Sequence, residues 1–192
     1  MELQIVHLLV AKFGVVIFLG LLMTGCSIKV EDEALNSEDA GSTNRLIAIT
    51  EGAYSLQLNS NEVTCRGLLD FKVKELEYSH RGEPGDPDEG LKIQLSVAGD
   101  FEKGEALTAD NSGADRYFDF RMVTPDGTAY QYDSSRSSED RPTFAALTVL
   151  KASDFLFKAR LWIEQLAPMG GGERQPASFR GTFDCGQWET RP

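Results

Sequence analysis

Period-two alternation of apolar and polar residues, punctuated by turn formers, is the feature of this chain that most restricts its fold. Leu91-Lys-Ile93-Gln-Leu95-Ser-Val97 is the cleanest run. Successive side chains of a strand point to opposite faces, so this segment offers one wholly apolar face to a core. Phe118, Phe120 and Met122 alternate in the same way and lead into Thr124-Pro-Asp-Gly-Thr128, whose Pro and Gly predict a tight turn into Tyr130 and Tyr132, hence a hairpin. Tyr54-Ser-Leu56-Gln-Leu58 and Val63-Thr-Cys65 predict earlier strands. Gly67 reads as a bulge before Leu69, Phe71 and Val73, and the parity then slips toward Leu76 and Tyr78. Phe155, Phe157, Ala159, Leu161 and Ile163 place five apolar residues on one face, Pro168-Met-Gly-Gly-Gly172 predicts a flexible loop, and Phe179-Arg-Gly181-Thr-Phe183-Asp-Cys185 closes the domain.

Ser153 to Leu166 has a helical alternative, with Asp154 as N-cap and Phe155, Trp162 and Leu166 near helical spacing. The unbroken alternation from Phe155 to Ile163 favours a strand. Roughly eight or nine strands and little helix predict an all-β fold, an antiparallel β-sandwich, with a closed β-barrel as the alternative.

The N-terminus is patterned differently. A short polar start ends at Lys12, an apolar stretch runs from Phe13 to Met23, and small residues precede a cysteine, the three parts of a secretory signal. The apolar stretch of about 11 residues is shorter than the ~20 that cross a bilayer as a helix, although the weaker apolar run from Ile5 extends it. Leu22-Met23-Thr24-Gly25-Cys26 resembles the lipobox of bacterial lipoproteins, in which an aliphatic residue, a small residue and Gly or Ala precede the modified cysteine. The resemblance implies cleavage after Gly25, diacylglycerol on the Cys26 sulfur and a third acyl chain, such as palmitate, on the new amino group. It covers the signal alone and implies nothing about the domain. Two or three chains suffice for stable anchoring where one does not. Ser27, where retention at the inner membrane typically calls for Asp, points to the outer membrane, facing the periplasm, in a Gram-negative host. The expected organisation is a signal peptide over 1–25, a lipidated cysteine and acidic tether over 26–44, and the β-domain over 45–189. A flexible tether of this length reaches roughly 25 Å.

With Cys26 lipidated, Cys65 and Cys185 remain as an even pair in an exported chain, which predicts a disulfide; two buried free thiols are the alternative. Both lie on the apolar parity of their strands.

The net charge of −11 argues against a phosphate backbone as partner, because binding one requires clustered Lys and Arg; no nucleic acid is expected. Hydrophobic residues make up 41% and charged residues 26%, so a packed core is within reach once the apolar N-terminus is set aside. The search for chemistry yields little. His80 is the one histidine beyond the signal, and no G-x-S-x-G elbow accompanies it, so a hydrolase using His80 is a different-class alternative. A transition-metal site lacks ligands, since zinc draws on His and Cys. Asp86, Asp88 and Glu89 in one acidic loop and Asp110 and Asp115 in another are weak calcium candidates without EF-hand spacing. Gly170, Gly171 and Gly172 lack the Lys-Ser/Thr of a phosphate-cradling loop. Tyr130, Tyr132 and Trp188 offer a stacking platform for sugar or peptide, set against the commoner packing role of strand aromatics. No enzyme activity and no cofactor are expected. The reading is a lipid-anchored envelope lipoprotein whose β-domain binds an envelope protein or glycan or serves structurally, with a small-ligand carrier built on a barrel cavity as the alternative.

Overall fold

The computed structural model describes residues 43–68, 72–83, 85–135, 142–153, 156–170 and 175–190. The lipobox with Cys26 and the tether to residue 42 lie outside them, as do Leu69, Phe71, Asp154, Phe155, Gly171 and Gly172. Twelve strands form among the described residues: β1 Arg45–Gly52, β2 Leu56–Ser60, β3 Val63–Leu68, β4 Val73–Ser79, β5 Lys92–Ala98, β6 Ala106–Thr108, β7 Tyr117–Val123, β8 Ala129–Asp133, β9 Phe144–Ser153, β10 Leu156–Leu166, β11 Ala177–Cys185 and β12 Glu189–Thr190. Sheet I runs β2-β1-β11-β10-β9-β6 and sheet II runs β12-β3-β4-β5-β7-β8. Every pairing is antiparallel except the short contact of β12 with β3. The two sheets pack face to face as a sandwich. The sheets do not close into a barrel, and the space between them is filled by side chains.

The filling follows the alternation. Leu91, Ile93, Leu95 and Val97 are fully buried from β5 and the residue before it, as are Phe118, Phe120 and Met122 from β7. Sheet I answers with Leu147, Phe157, Leu161, Ile163, Phe179 and Phe183. Phe120 and Phe179 meet across the sheets with ring centroids 4.6 Å apart. Gly181 makes room for them: a Cβ there would fall 2.9 Å from the Phe179 ring and 3.1 Å from Ala48 Cβ. Tyr130 and Tyr132 are buried and Trp188 packs on the core's margin, so these three pack rather than forming an open platform.

Leu156–Leu166 forms a strand, as the alternation indicated, and the hairpin around Thr124–Thr128 forms as β7 and β8. Gly67 requires correction. It pairs with Lys74 in an unbroken register from Val63↔Tyr78 to Leu68↔Val73, so the chain reverses between β3 and β4 and no bulge lies at Gly67. The reversal accounts for the parity slip. Bulges occur instead in β9, where Leu150 is the extra residue between the pairs Lys158↔Lys151 and Ala159↔Val149, and in β10, between Ile163 and Leu166.

Cys65 on β3 and Cys185 at the end of β11 are joined by a disulfide, Cα–Cα 6.0 Å, that ties sheet II to sheet I. Beside it Asn44 accepts the N–H groups of Gly186 and Gln187 at 3.1 and 2.8 Å and donates to Val63 O at 3.0 Å. The chain is thus fastened to the sandwich immediately before β1.

Candidate functional site

Four connections gather at one end of the sandwich: β1–β2, the loop 80–91 between β4 and β5, the β7–β8 turn, and the β10–β11 connection. They enclose an open cavity of about 440 Å³ walled by Ala53, Tyr54, Pro87, Pro125, Tyr130 and Gln175, with Thr124, Asp126 and Thr128 along one side. Apolar walls with a few convergent polar groups are the usual make-up of a binding cleft.

Each wall is fixed by its own local chemistry. In the β7–β8 turn, Gly127 takes the positive φ of 80° that the turn requires, and Asp126 Oδ1 accepts the Thr124 hydroxyl at 2.6 Å and the Thr128 N–H at 3.0 Å. Asp126 Oδ2 accepts the Thr128 hydroxyl at 2.9 Å. The carboxylate therefore locks the turn. The β10–β11 connection is held across the sandwich by a bridge between Tyr130 and Pro168 and by Met169 N–H donating to Ala129 O at 2.8 Å.

The loop 80–91 carries the one histidine of the domain. Asp86 Oδ2 lies 2.8 Å from His80 Nε2, and the Tyr78 hydroxyl lies 2.8 Å from His80 Nδ1. Both contacts are satisfied together when Nε2–H donates to Asp86 and Nδ1 accepts from the Tyr78 hydroxyl. Asp86 Oδ1 also accepts the Asp88 N–H at 2.9 Å. The His80 hydrogen bond, then that N–H, holds the Asp86 carboxyl below the usual carboxylate range. Asp88 in turn accepts the Tyr54 hydroxyl at 2.5 Å, and burial followed by that bond pushes the Tyr54 phenol well above its ordinary value. Burial likewise raises Tyr78, with the Glu62, Asp88 and Asp86 charges adding to it. Gly82 leaves the space that Asp86 fills, since a Cβ there would overlap its carboxylate. Tyr54, Asp88, Asp86, His80 and Tyr78 thus form a chain of hydrogen bonds from the β1–β2 connection into the core.

The candidates from sequence separate accordingly. His80, Asp86 and Asp88 are brought together, but as partners of one another and of two tyrosines. Both ring nitrogens of His80 are engaged, so action as a base toward a third group would require one of these bonds to break. Glu89 belongs to the same loop, whereas Asp110 and Asp115 belong to the connection between β6 and β7. Among the described residues no group of three or more His, Cys, Asp or Glu is arranged to hold a metal ion. Sequence reasoning missed Tyr54 and Asp126 as site residues, and the signal for them was weak, because each reads locally as part of a strand or turn.

A second concavity, about 460 Å³, lies on the outer face of β3 and β4. Its charges largely compensate one another: Arg66 pairs with Glu77 at 2.9 Å and with Glu189 at 3.4 Å. It lacks aromatic walls, and the loop-end cavity is the better candidate. No family model, no curated protein and no solved structure matches this chain.

Proposed function

We propose that this chain is a lipid-anchored envelope lipoprotein whose β-sandwich acts by binding an envelope protein or glycan through its loop end, rather than by catalysis. The observation that carries the reading is the position of the cavity along β1. That strand starts at Arg45, where the lipidated tether leads in, and ends at Gly52, beside Ala53 and Tyr54 of the cavity wall. Eight strand residues span about 25 Å, so the cavity opens a strand's length from the point of attachment. The anchor itself rests on the lipobox and on Ser27, which favour an outer-membrane address in a Gram-negative host. Non-catalytic use is supported by the engagement of both His80 nitrogens and by the role of Asp126 and Asp86 in fixing their loops.

Two linked measurements test it in intact bacteria. A clickable palmitate analogue is expected to label the full chain, and Cys26→Ser to abolish the label and release the protein from the membrane fraction; retention of both would reject the anchor. A photocrosslinking residue in place of Pro87 is expected to trap a specific partner, lost when Ala53→Trp fills the cavity. Trapping that is indifferent to Ala53→Trp, or no trapping above an unrelated lipoprotein, would reject the loop end as the binding surface.

A further inference from the structure

The outer face of sheet I carries a second, independent arrangement. Phe144 on β9 and Trp162 on β10 are two of the three large apolar side chains that stand exposed among the described residues, at 42% and 40%. They meet edge to face with centroids 5.1 Å apart. Arg180, directly opposite Trp162 in the β10–β11 register, lays its guanidinium 4.4 Å from the indole centroid. Glu164 Oε1 accepts both the indole N–H at 3.0 Å and the Arg180 Nη2–H at 3.2 Å. One carboxylate oxygen therefore fixes the orientation of ring and guanidinium together.

The backbone beside this cluster is irregular in a way that adds to it. From Ile163↔Phe179 to Leu166↔Ala177, β10 advances three residues while β11 advances two, so β10 contains one extra residue. Gln165 takes the strained conformation this demands, with φ of 56°, which residues with a Cβ rarely adopt. The bulge places Glu164 and Gln165 consecutively away from the core, where strict alternation would allow only one of them. Thr143 donates to Gln165 Oε1 at 2.8 Å and Gln165 N–H to Ser178 Oγ at 3.2 Å, which hold the bulge in place.

We infer that this patch is a platform for a neutral, β-linked pyranose chain, with Trp162 and Phe144 stacking on sugar C–H faces and Glu164, Gln165 and Arg180 bonding hydroxyls. Three arguments select that occupant. At about 40% exposure, the two rings offer on the order of 200 Å² of apolar surface, below the roughly 300–600 Å² of the largest apolar patch on an ordinary monomer, so the area does not mark a protein interface. Glu164 and Arg180 cancel in charge on a chain of net −11, which disfavours an anionic surface and leaves no charge excess for an ionic ligand. The two rings themselves stand exposed on the outer face of sheet I, and pyranoses with equatorial substituents are polar ligands that offer a flat apolar face to such rings. Cross-strand packing alone accounts for less, since a Trp–Arg pair adds under about 1 kcal/mol to a sheet and needs neither the second exposed ring nor the bulge.

The experiment is calorimetric titration of the detergent-solubilised full chain with β-1,4-linked N-acetylglucosamine and glucose hexasaccharides, and with an α-1,4-glucose hexasaccharide as comparison. Binding of a β-linked hexamer, weakened at least tenfold by Trp162→Ala and by Phe144→Ala and largely retained in Trp162→Tyr, is expected. Ala53→Trp should leave it unchanged, which separates this surface from the loop end. The proposal is overturned if no β-linked hexamer binds, if the α-linked chain binds as well, or if both alanine variants bind as wild type. It is equally overturned if glycan binding is absent and Trp162→Ala instead alters the oligomeric state.

Discussion

At the scale of single residues, two positions show how closely the sandwich constrains its sequence. Gly181 faces inward on β11 between Ala48 and the Phe179 ring, in space that no side chain can enter without moving an aromatic of the core. Overpacking of this kind typically costs about 1–3 kcal/mol. Gly181→Val is expected to lower the urea midpoint by a corresponding amount, and an unchanged midpoint would show that Phe179 yields freely. Gln165 is limited by backbone rather than by space. Its φ of 56° is least accessible to β-branched residues and easily reached by glycine. Gln165→Val should therefore be less stable than Gln165→Gly by roughly 1–2 kcal/mol in chemical denaturation. Equal stabilities would mean that the bulge relaxes to another conformation.

At the scale of elements, strands were legible where one face is apolar and the other polar. β5 and β7 meet that condition, and so does β10, whose alternation outweighed the helical spacing of Trp162 and Leu166. β1 was not legible, because Ile47 and Ile49 alternate with the buried Leu46, Ala48 and Thr50, so apolar character does not mark one face. β9 is similar: Leu147 and Val149 are buried, but Ala146, Thr148 and Leu150 dilute the contrast. The loop 80–91 read as a polar, Gly-, Pro- and Asp-rich connection, whereas its order comes from the His80–Asp86 and Tyr54–Asp88 bonds, which no local pattern discloses. These bonds carry a pH signature. Asp86 has its pKa lowered in the folded protein, so its contribution is complete above the ordinary carboxylate value and is lost as the pH falls through the depressed value. Glu105, held down chiefly by its hydrogen bond from Arg116, acts in the same direction. Denaturant midpoints should therefore fall as the pH drops below about 4, and Asp86→Asn should flatten that fall while lowering the midpoint at neutral pH. A variant whose profile runs parallel to wild type would show that Asp86 contributes nothing to it.

At the scale of the whole molecule, the question is what holds two sheets together when the chain passes repeatedly between them. The phenylalanines of β7, β10 and β11 supply an interlocking core, and the strand parity of Cys65 and Cys185 announced in the sequence that both sulfurs would face it. The loop-end cavity was beyond the sequence's reach, since it depends on which turns become neighbours, and that is decided by the order of strands in the two sheets. The disulfide closes a loop with a sequence separation of 120 and joins β3 of one sheet to β11 of the other. For a loop of that size the chain-entropy model gives about 4–5 kcal/mol, with removal of native bridges typically costing 2–5. The double variant Cys65→Ala/Cys185→Ala should therefore lose roughly 2–5 kcal/mol in urea unfolding, and wild type unfolded in reductant should approach it. If most of the effect arises in the unfolded chain, the folded double variant will keep the core packing and an unchanged Trp162 environment while its midpoint falls. If the bridge instead holds the sheets in position, the variant will lose near-ultraviolet ellipticity from its buried aromatics before any denaturant is added, and the stabilisation must then be assigned to the folded sandwich.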